Sequence, residues 1–94
     1  MGKKIEITQE NLPIILAFLA RKINAIDGIT ACVKMSKSNK PYIFVKTKIS
    51  KYVVVYYFTH KNYKAFNDDG SVSYTFYKAS ELYNHFMLEQ WFEE

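Results

Sequence analysis

The side chains with most chemistry to offer lie in the stretch "KTKISKYVVVYYFTHKNYK", residues 46–64, where lysines alternate with tyrosines and phenylalanine and no carboxylate intervenes. Lysine ammonium groups neutralise phosphates, and aromatic rings stack on unpaired bases at roughly 1–3 kcal/mol each. A single-stranded nucleic acid would find both requirements in one place. The candidate contacts are Lys34, Tyr42, Phe44, Lys46, Lys48, Lys51, Tyr52, Tyr56, Lys61 and Lys64. Two alternatives compete with this reading. Aromatic and β-branched residues are enriched in strands whatever they do, and exposed strand lysines suppress edge aggregation. An aromatic face also suits a protein interface, either a homodimer seam or a docking surface, although lysine is depleted at interface centres and belongs at the rim.

The closing segment "ELYNHFMLEQWFEE" carries a different chemistry. Glu81, Glu89, Glu93 and Glu94 surround Leu88, Trp91 and Phe92. A helix with carboxylates flanking exposed apolar anchors can enter a basic groove much as a phosphate backbone does, which suits an inhibitor that occupies a nucleic-acid-binding host protein. The plainer alternative is that Trp91 and Phe92 close the core while the glutamates keep the tail soluble.

No sequence pattern points to catalysis, a cofactor or a metal. His60, His85 and Cys32 are far apart and lack paired ligand spacing. Asp68-Asp69 before Gly70 reads as turn chemistry, although adjacent carboxylates can hold a divalent cation. There is no Gly-rich phosphate loop and no nucleophile with a recognisable base. The sequence lacks the aromatic and glycine signature of RNA-recognition domains, and Arg21 is the sole arginine, so base-specific readout through arginine is not expected.

Charge is segregated along the chain. The formal net charge is +4. Between Asp27 and Asp68 there are eight lysines and no carboxylate, whereas from Asp68 onward six carboxylates face only Lys78, about −5. Such a chain presents one end that attracts anions and one that repels them. With Arg21 alone among thirteen Lys and Arg residues, lysine outnumbers arginine twelve to one. That imbalance, with abundant Tyr, Phe, Ile and Asn, resembles proteins of AT-rich genomes, and small domains of this kind are frequent in phages and mobile elements, where many inhibit host nucleases.

These residues must be positioned by one small core. Ninety-four residues suffice for a single domain (1–94) that buries roughly 60–65% of its unfolded surface. With 49% hydrophobic and 23% charged residues the composition is globular. One cysteine cannot make an intramolecular disulfide, so a reducing cytoplasmic setting is expected. The opening residues read as no secretory signal, Glu6 stands where a myristoylation signal wants Ser or Thr, and "LPIILAFLA" at 12–20 falls short of the ~20 residues that span a bilayer, so no membrane association is expected.

Periodicity then supplies the elements. "KKIEI" at 3–7 could form a short edge strand. A helix is expected from about Leu12 to Ile26, capped by Asn11, with Pro13 in the first turn, an apolar stripe of Leu12, Ile15, Leu16, Leu19, Ile23 and Ile26 widened by Ile14 and Phe18, and Gly28 closing it. The period changes to two in "ITACVKM" and "YIFVKTKI", a hairpin turned by "KSNKP". "KYVVVYYFT" follows as a central strand, then "NYKAF" and "SVSYTFY" around "NDDG". Ser80 can cap a helix through about Phe92, with Ala79, Leu82, Tyr83, Phe86, Met87 and Trp91 inward and Glu81, Asn84, His85 and Glu89 outward.

The expected fold is a two-layer α+β domain: an antiparallel meander of four to five strands with an N-terminal and a C-terminal helix packed on one face. Ile29, Val33, Ile43, Val45, Val53, Val55, Val72, Tyr74 and Phe76 are expected under the helices. The opposite face would then present Lys34, Tyr42, Phe44, Lys46, Lys48, Tyr52, Val54, Tyr56 and Phe58.

Overall fold

A computed structural model describes residues 6–48, 50–67, 70 and 73–92, with the backbone alone for 89–92. Helix α1 (Leu12–Asn24) is followed by strands β1 (Thr30–Met35), β2 (Pro41–Lys46), β3 (Lys51–Tyr57), β4 (Asn62–Asn67) and β5 (Ser73–Phe76), and the chain closes with α2 (Ala79–Phe92). The strands pair antiparallel in the order β1-β2-β3-β4-β5, so this is the expected two-layer α+β meander. Of the short edge strand expected at 3–7, Glu6 and Ile7 are irregular, while residues 3–5 lie outside the described residues, as does Val72.

The start of α1 is held by a reciprocal pair. The Thr8 N–H donates to Asn11 Oδ1 at 2.7 Å, the Asn11 N–H donates to Thr8 Oγ1 at 3.2 Å, and the Leu12 N–H reaches the Thr8 carbonyl at 2.9 Å. This is capping-box geometry with Asn11 in the third position, so Thr8 caps and Asn11 answers it. The helix ends at Asn24, two residues before Ile26, and Asn24 Oδ1 accepts the Ala31 N–H at 3.0 Å, which ties the end of α1 to β1. Gly28 has φ +83, a left-handed backbone that favours glycine, and the Lys48 stem lies against it.

Register decides which residues the helices cover. β2 stops at Lys46, and the loop 47–50 brings Lys46 directly opposite Lys51. The Thr47 N–H donates to the Ser50 carbonyl at 2.8 Å and the Ser50 N–H donates to Thr47 Oγ1 at 3.0 Å, which closes the turn. Even-numbered residues of β2 therefore share a face with odd-numbered residues of β3. The expected face of β3 is inverted: Tyr52 and Val54 are buried and Tyr56 is half-buried under the helices, while Val53 and Val55 face the other way. Three consecutive valines give no periodic signal, so the turn and the gain from burying Tyr52 set the face.

The core gathers Leu16, Ile23, Ile43, Val45, Val54, Leu82 and Phe86, all fully buried, with Tyr52 and Tyr63 beside them. Tyr52 meets Phe86 edge-on at 5.5 Å between ring centres. All the buried apolar strand residues lie on one sheet face, so both helices cover that face. Several expected helix faces need correction. Ile14 and Phe18 do not widen the buried stripe of α1; they are 59% and 63% exposed. Met87 is exposed, and His85, expected outward, is half-buried among Tyr74, Phe76 and Phe86 at 4.5, 5.3 and 5.4 Å. Ser80 does not cap α2; it lies inside the helix, and the Glu81 carboxylate accepts the Tyr77 N–H at 3.0 Å instead. Among the described residues no helix is long and apolar enough to cross a membrane.

Truncating Leu16 or Phe86 to alanine should lower unfolding free energy by about 2–5 kcal/mol, because each loses a fully buried side chain. Ile14→Ala and Phe18→Ala should cost less than about 0.5 kcal/mol. Urea denaturation of the four variants checks the assignment of both helix faces.

Candidate nucleic-acid interface

The face away from the helices is organised in rows by strand register. Cys32, Phe44, Val53, Phe66 and Ser73 stand opposite one another in succession across all five strands. On one side of this row lie Thr30, Lys46 and Lys51. On the other lie Lys34 with Tyr42, then Val55 with Lys64 and Thr75. Tyr57 and Asn62 follow beyond them. An apolar, aromatic strip is thus bordered by lysines on both sides, and no carboxylate faces this side among the described strand residues.

The rings are accessible without being loose. Tyr42, Phe44 and Phe66 are half-buried by their neighbours on the pleat, and Tyr57 is exposed. Lys34 Nζ sits 4.7 Å from the centre of the Phe44 ring, and Lys64 Nζ sits 6.0 Å from that of Tyr57. Such exposed cation–π contacts contribute about 0.5–1 kcal/mol. Stacking a base on the same ring contributes about 1–3 kcal/mol, so the lysine can move aside to a phosphate with a net gain.

Lys46 and Lys51 form a directly opposed pair of like charges, an arrangement that destabilises a sheet. An anion between them would remove that penalty. Phe44 and Phe66 are two strands apart, about 10 Å. That is about three times the 3.4 Å rise of a stacked strand, so bases on both rings must be unstacked from each other. Single strands can splay in this way and duplexes cannot.

Of the residues singled out from sequence, the fold brings Lys34, Tyr42, Phe44, Lys46, Lys51 and Lys64 onto this face. It does not bring Tyr52 or Tyr56, which the inverted β3 turns toward the helices. Lys48 lies in the loop 47–50 with its stem against Gly28, and Lys61 lies in the β3–β4 turn with Phe58, so none of these three belongs to the face. Phe66, Val53, Val55, Tyr57 and Cys32 were missed as face residues. The alternation of Lys64 and Phe66 against Tyr63 and Ala65 carried the signal for β4, once the face of β3 was known.

The acidic alternative is less well served. Glu81 is engaged at the start of α2, and Leu88 is 58% exposed. Glu89, Trp91 and Phe92 belong to α2, but their side chains, like Glu93 and Glu94 altogether, lie outside the described residues. Asp68 and Asp69 also lie outside them. Cys32 is exposed on the open face and is not a core residue. Among the described residues no group of three or more His, Cys, Asp or Glu side chains could hold a metal ion.

The chain matches no family model, and no curated protein or solved structure is similar to it.

Burial, and then the neighbouring Tyr56, push the Tyr63 phenol above its ordinary value of 10.0. The folded phenol therefore keeps its proton to higher pH than the unfolded one. Its contribution to stability is complete below about pH 10 and is lost as pH rises through the folded value. Tyr63→Phe should flatten the fall in stability between about pH 9 and 11, which denaturant midpoints measured across that range will show.

Proposed function

We propose that this protein is a non-enzymatic module that binds single-stranded nucleic acid with little sequence preference, through the open face of its sheet. The observation that carries the reading is the row of Cys32, Phe44, Val53 and Phe66 on the face away from the helices, bordered by Lys34, Lys46, Lys51 and Lys64 with no carboxylate among the described strand residues. Lysines act as point charges on phosphates, and rings accept any base, so affinity comes without a code. Four phosphate contacts give a slope of about −3 in log affinity against log salt, taking about −0.7 per phosphate on a single strand.

The competing reading is a phage-type or mobile-element inhibitor that blocks a host nuclease with its acidic end. It draws on the exposed Leu88 and on the chain's charge segregation, and it needs the carboxylates where the first reading needs the lysines.

Fluorescence anisotropy with labelled single strands at two salt concentrations tests the proposal. Changing Lys46 and Lys51 together to Gln should reduce the salt slope by about 1.4 for every sequence tried. Phe44→Ala should cost about 1–3 kcal/mol of affinity and leave the slope unchanged. A bulky maleimide on Cys32, the only cysteine, should block binding, because Cys32 stands directly opposite Phe44. Absence of binding at low salt overturns the reading, and a host nuclease captured by the wild type but lost when Glu89, Glu93 and Glu94 become Lys would favour the inhibitor.

A further inference from the structure

A second concave site lies on the helix-covered side of the sheet, where the β3–β4 turn meets the starts of α1 and α2. It is a cavity of about 590 Å³, within the range that accommodates small ligands. Its aromatic wall is made by Tyr56, Phe58, Tyr63 and Tyr77. Tyr56 sits edge-on to Phe58 at 5.1 Å and to Tyr63 at 5.0 Å, so these rings are fixed before any ligand arrives. Tyr77 is 67% exposed. Lys61 and Lys78 are the two cationic residues of the lining, and Ala79, the first residue of α2, brings the positive end of that helix to the wall. Glu6 is the one carboxylate in the lining among the described residues.

We propose that this cavity binds a nucleotide monophosphate unit, its base against the tyrosine and phenylalanine rings, its phosphate on Lys61 and Lys78, and its ribose hydroxyls donating to Glu6. A purely apolar ligand would leave both ammonium groups unused, and an inorganic anion would leave the rings unused; the site matches a planar ring that carries an anion and hydroxyl groups. The cavity is distinct from the open face, because Tyr56 points to the helix side of β3 whereas its neighbours Val55 and Tyr57 point to the other. Lys61 adds a second observation. Its backbone lies in the left-handed region at φ 54, where glycine or asparagine is at ease and a lysine is strained. The chain thus keeps a long cation at a turn position that favours Gly on conformational grounds.

That strain separates function from folding in the test. The full-length protein is titrated with AMP, with adenosine and with inorganic phosphate, and amide chemical shifts at Lys61, Tyr63 and Ala79 are followed by NMR. AMP should shift these amides saturably, adenosine should bind at least about tenfold more weakly, and phosphate alone should not saturate. Lys61→Gly should fold with equal or higher thermal stability and bind AMP at least about tenfold more weakly. Short single strands with and without a 5′-phosphate identify the source of the nucleotide: displacement of AMP by the phosphorylated strand assigns the site to a strand end, and its failure assigns it to free nucleotide. No saturable shift with AMP, equal binding of adenosine, or AMP affinity unchanged in Lys61→Gly overturns the proposal. So does loss of the AMP response in Phe44→Ala, since that would move the ligand to the open face. An open face that fails to bind single strands leaves the AMP result standing by itself.

Discussion

The pairing of Lys46 with Lys51 across the loop 47–50 is the constraint on which the rest of this structure depends. Side chains alternate with a period of two, so a loop one residue shorter or longer would exchange the two faces of β3 and every strand paired after it. Thr47 holds the loop at its observed length: its hydroxyl accepts from the Ser50 N–H and donates to the Ser50 carbonyl at 3.1 Å. With that turn closed, Tyr52 and Val54 go under the helices and Val53 goes out. The same turn places two lysines opposite each other. That pair is unfavourable for the sheet by itself, and the proposed single-strand ligand would offset it.

From this register follows a division of labour between faces. The helix side of β3 and β4 takes aromatic residues that carry a polar tip, and β5 adds Phe76 to them. Tyr52 and Tyr63 bury their rings in the core with Phe86 and Ala65, and the ring contacts of Tyr56 and His85 extend the packing to β4 and β5. The middle of the open side takes valine and phenylalanine, which need no hydrogen-bond partner whether covered or not, with Tyr42 and Tyr57 toward one edge. Phenylalanines half-exposed in a row contribute less to burial than they could, and lysines rather than helices border them. Burial therefore shapes one face, and the other is the surface to which the proposed binding of single strands is assigned.

Much of this was legible in the sequence, and the failures share one cause. The order helix, meander, helix followed from a helical period in 12–23, a two-residue period in 41–46 and turn residues between strands. Lys34, Tyr42, Phe44 and Lys46 reached the expected surface because β1 and β2 alternate clearly. β3 does not: "KYVVVYY" is apolar on both faces, and only the length of the preceding loop, held by Thr47, distinguishes them. The helices misled for a related reason. Apolar residues such as Ile14, Phe18 and Met87 lie beside the buried stripe, and a sheet of this width covers only part of each helix. Conversely His85 looked polar and is packed among three rings.

Positive φ values separate turns whose residue type suits the backbone from one whose residue type does not. Gly28 and Gly70 adopt left-handed backbone at φ +83 and +74, as glycine does readily, and Asn39 does so at φ 65, as asparagine often does. Each of these residues agrees with its local geometry. Lys61, at φ 54, does not, and among the described residues it is the one left-handed position held by neither glycine nor asparagine. A local conflict of this kind is where a position held for function is to be sought, and the nucleotide proposal is placed there. The conflict occurs where the wall of the cavity has a cation beside Tyr56 and Tyr63, so strain and site coincide. The open face shows the same signature in electrostatic form, with like charges opposed at Lys46 and Lys51. Two independent departures from what stability favours, one conformational and one electrostatic, both supply lysines near aromatic rings, and that shared chemistry is why the two proposed ligands are alike in carrying a phosphate and a planar ring.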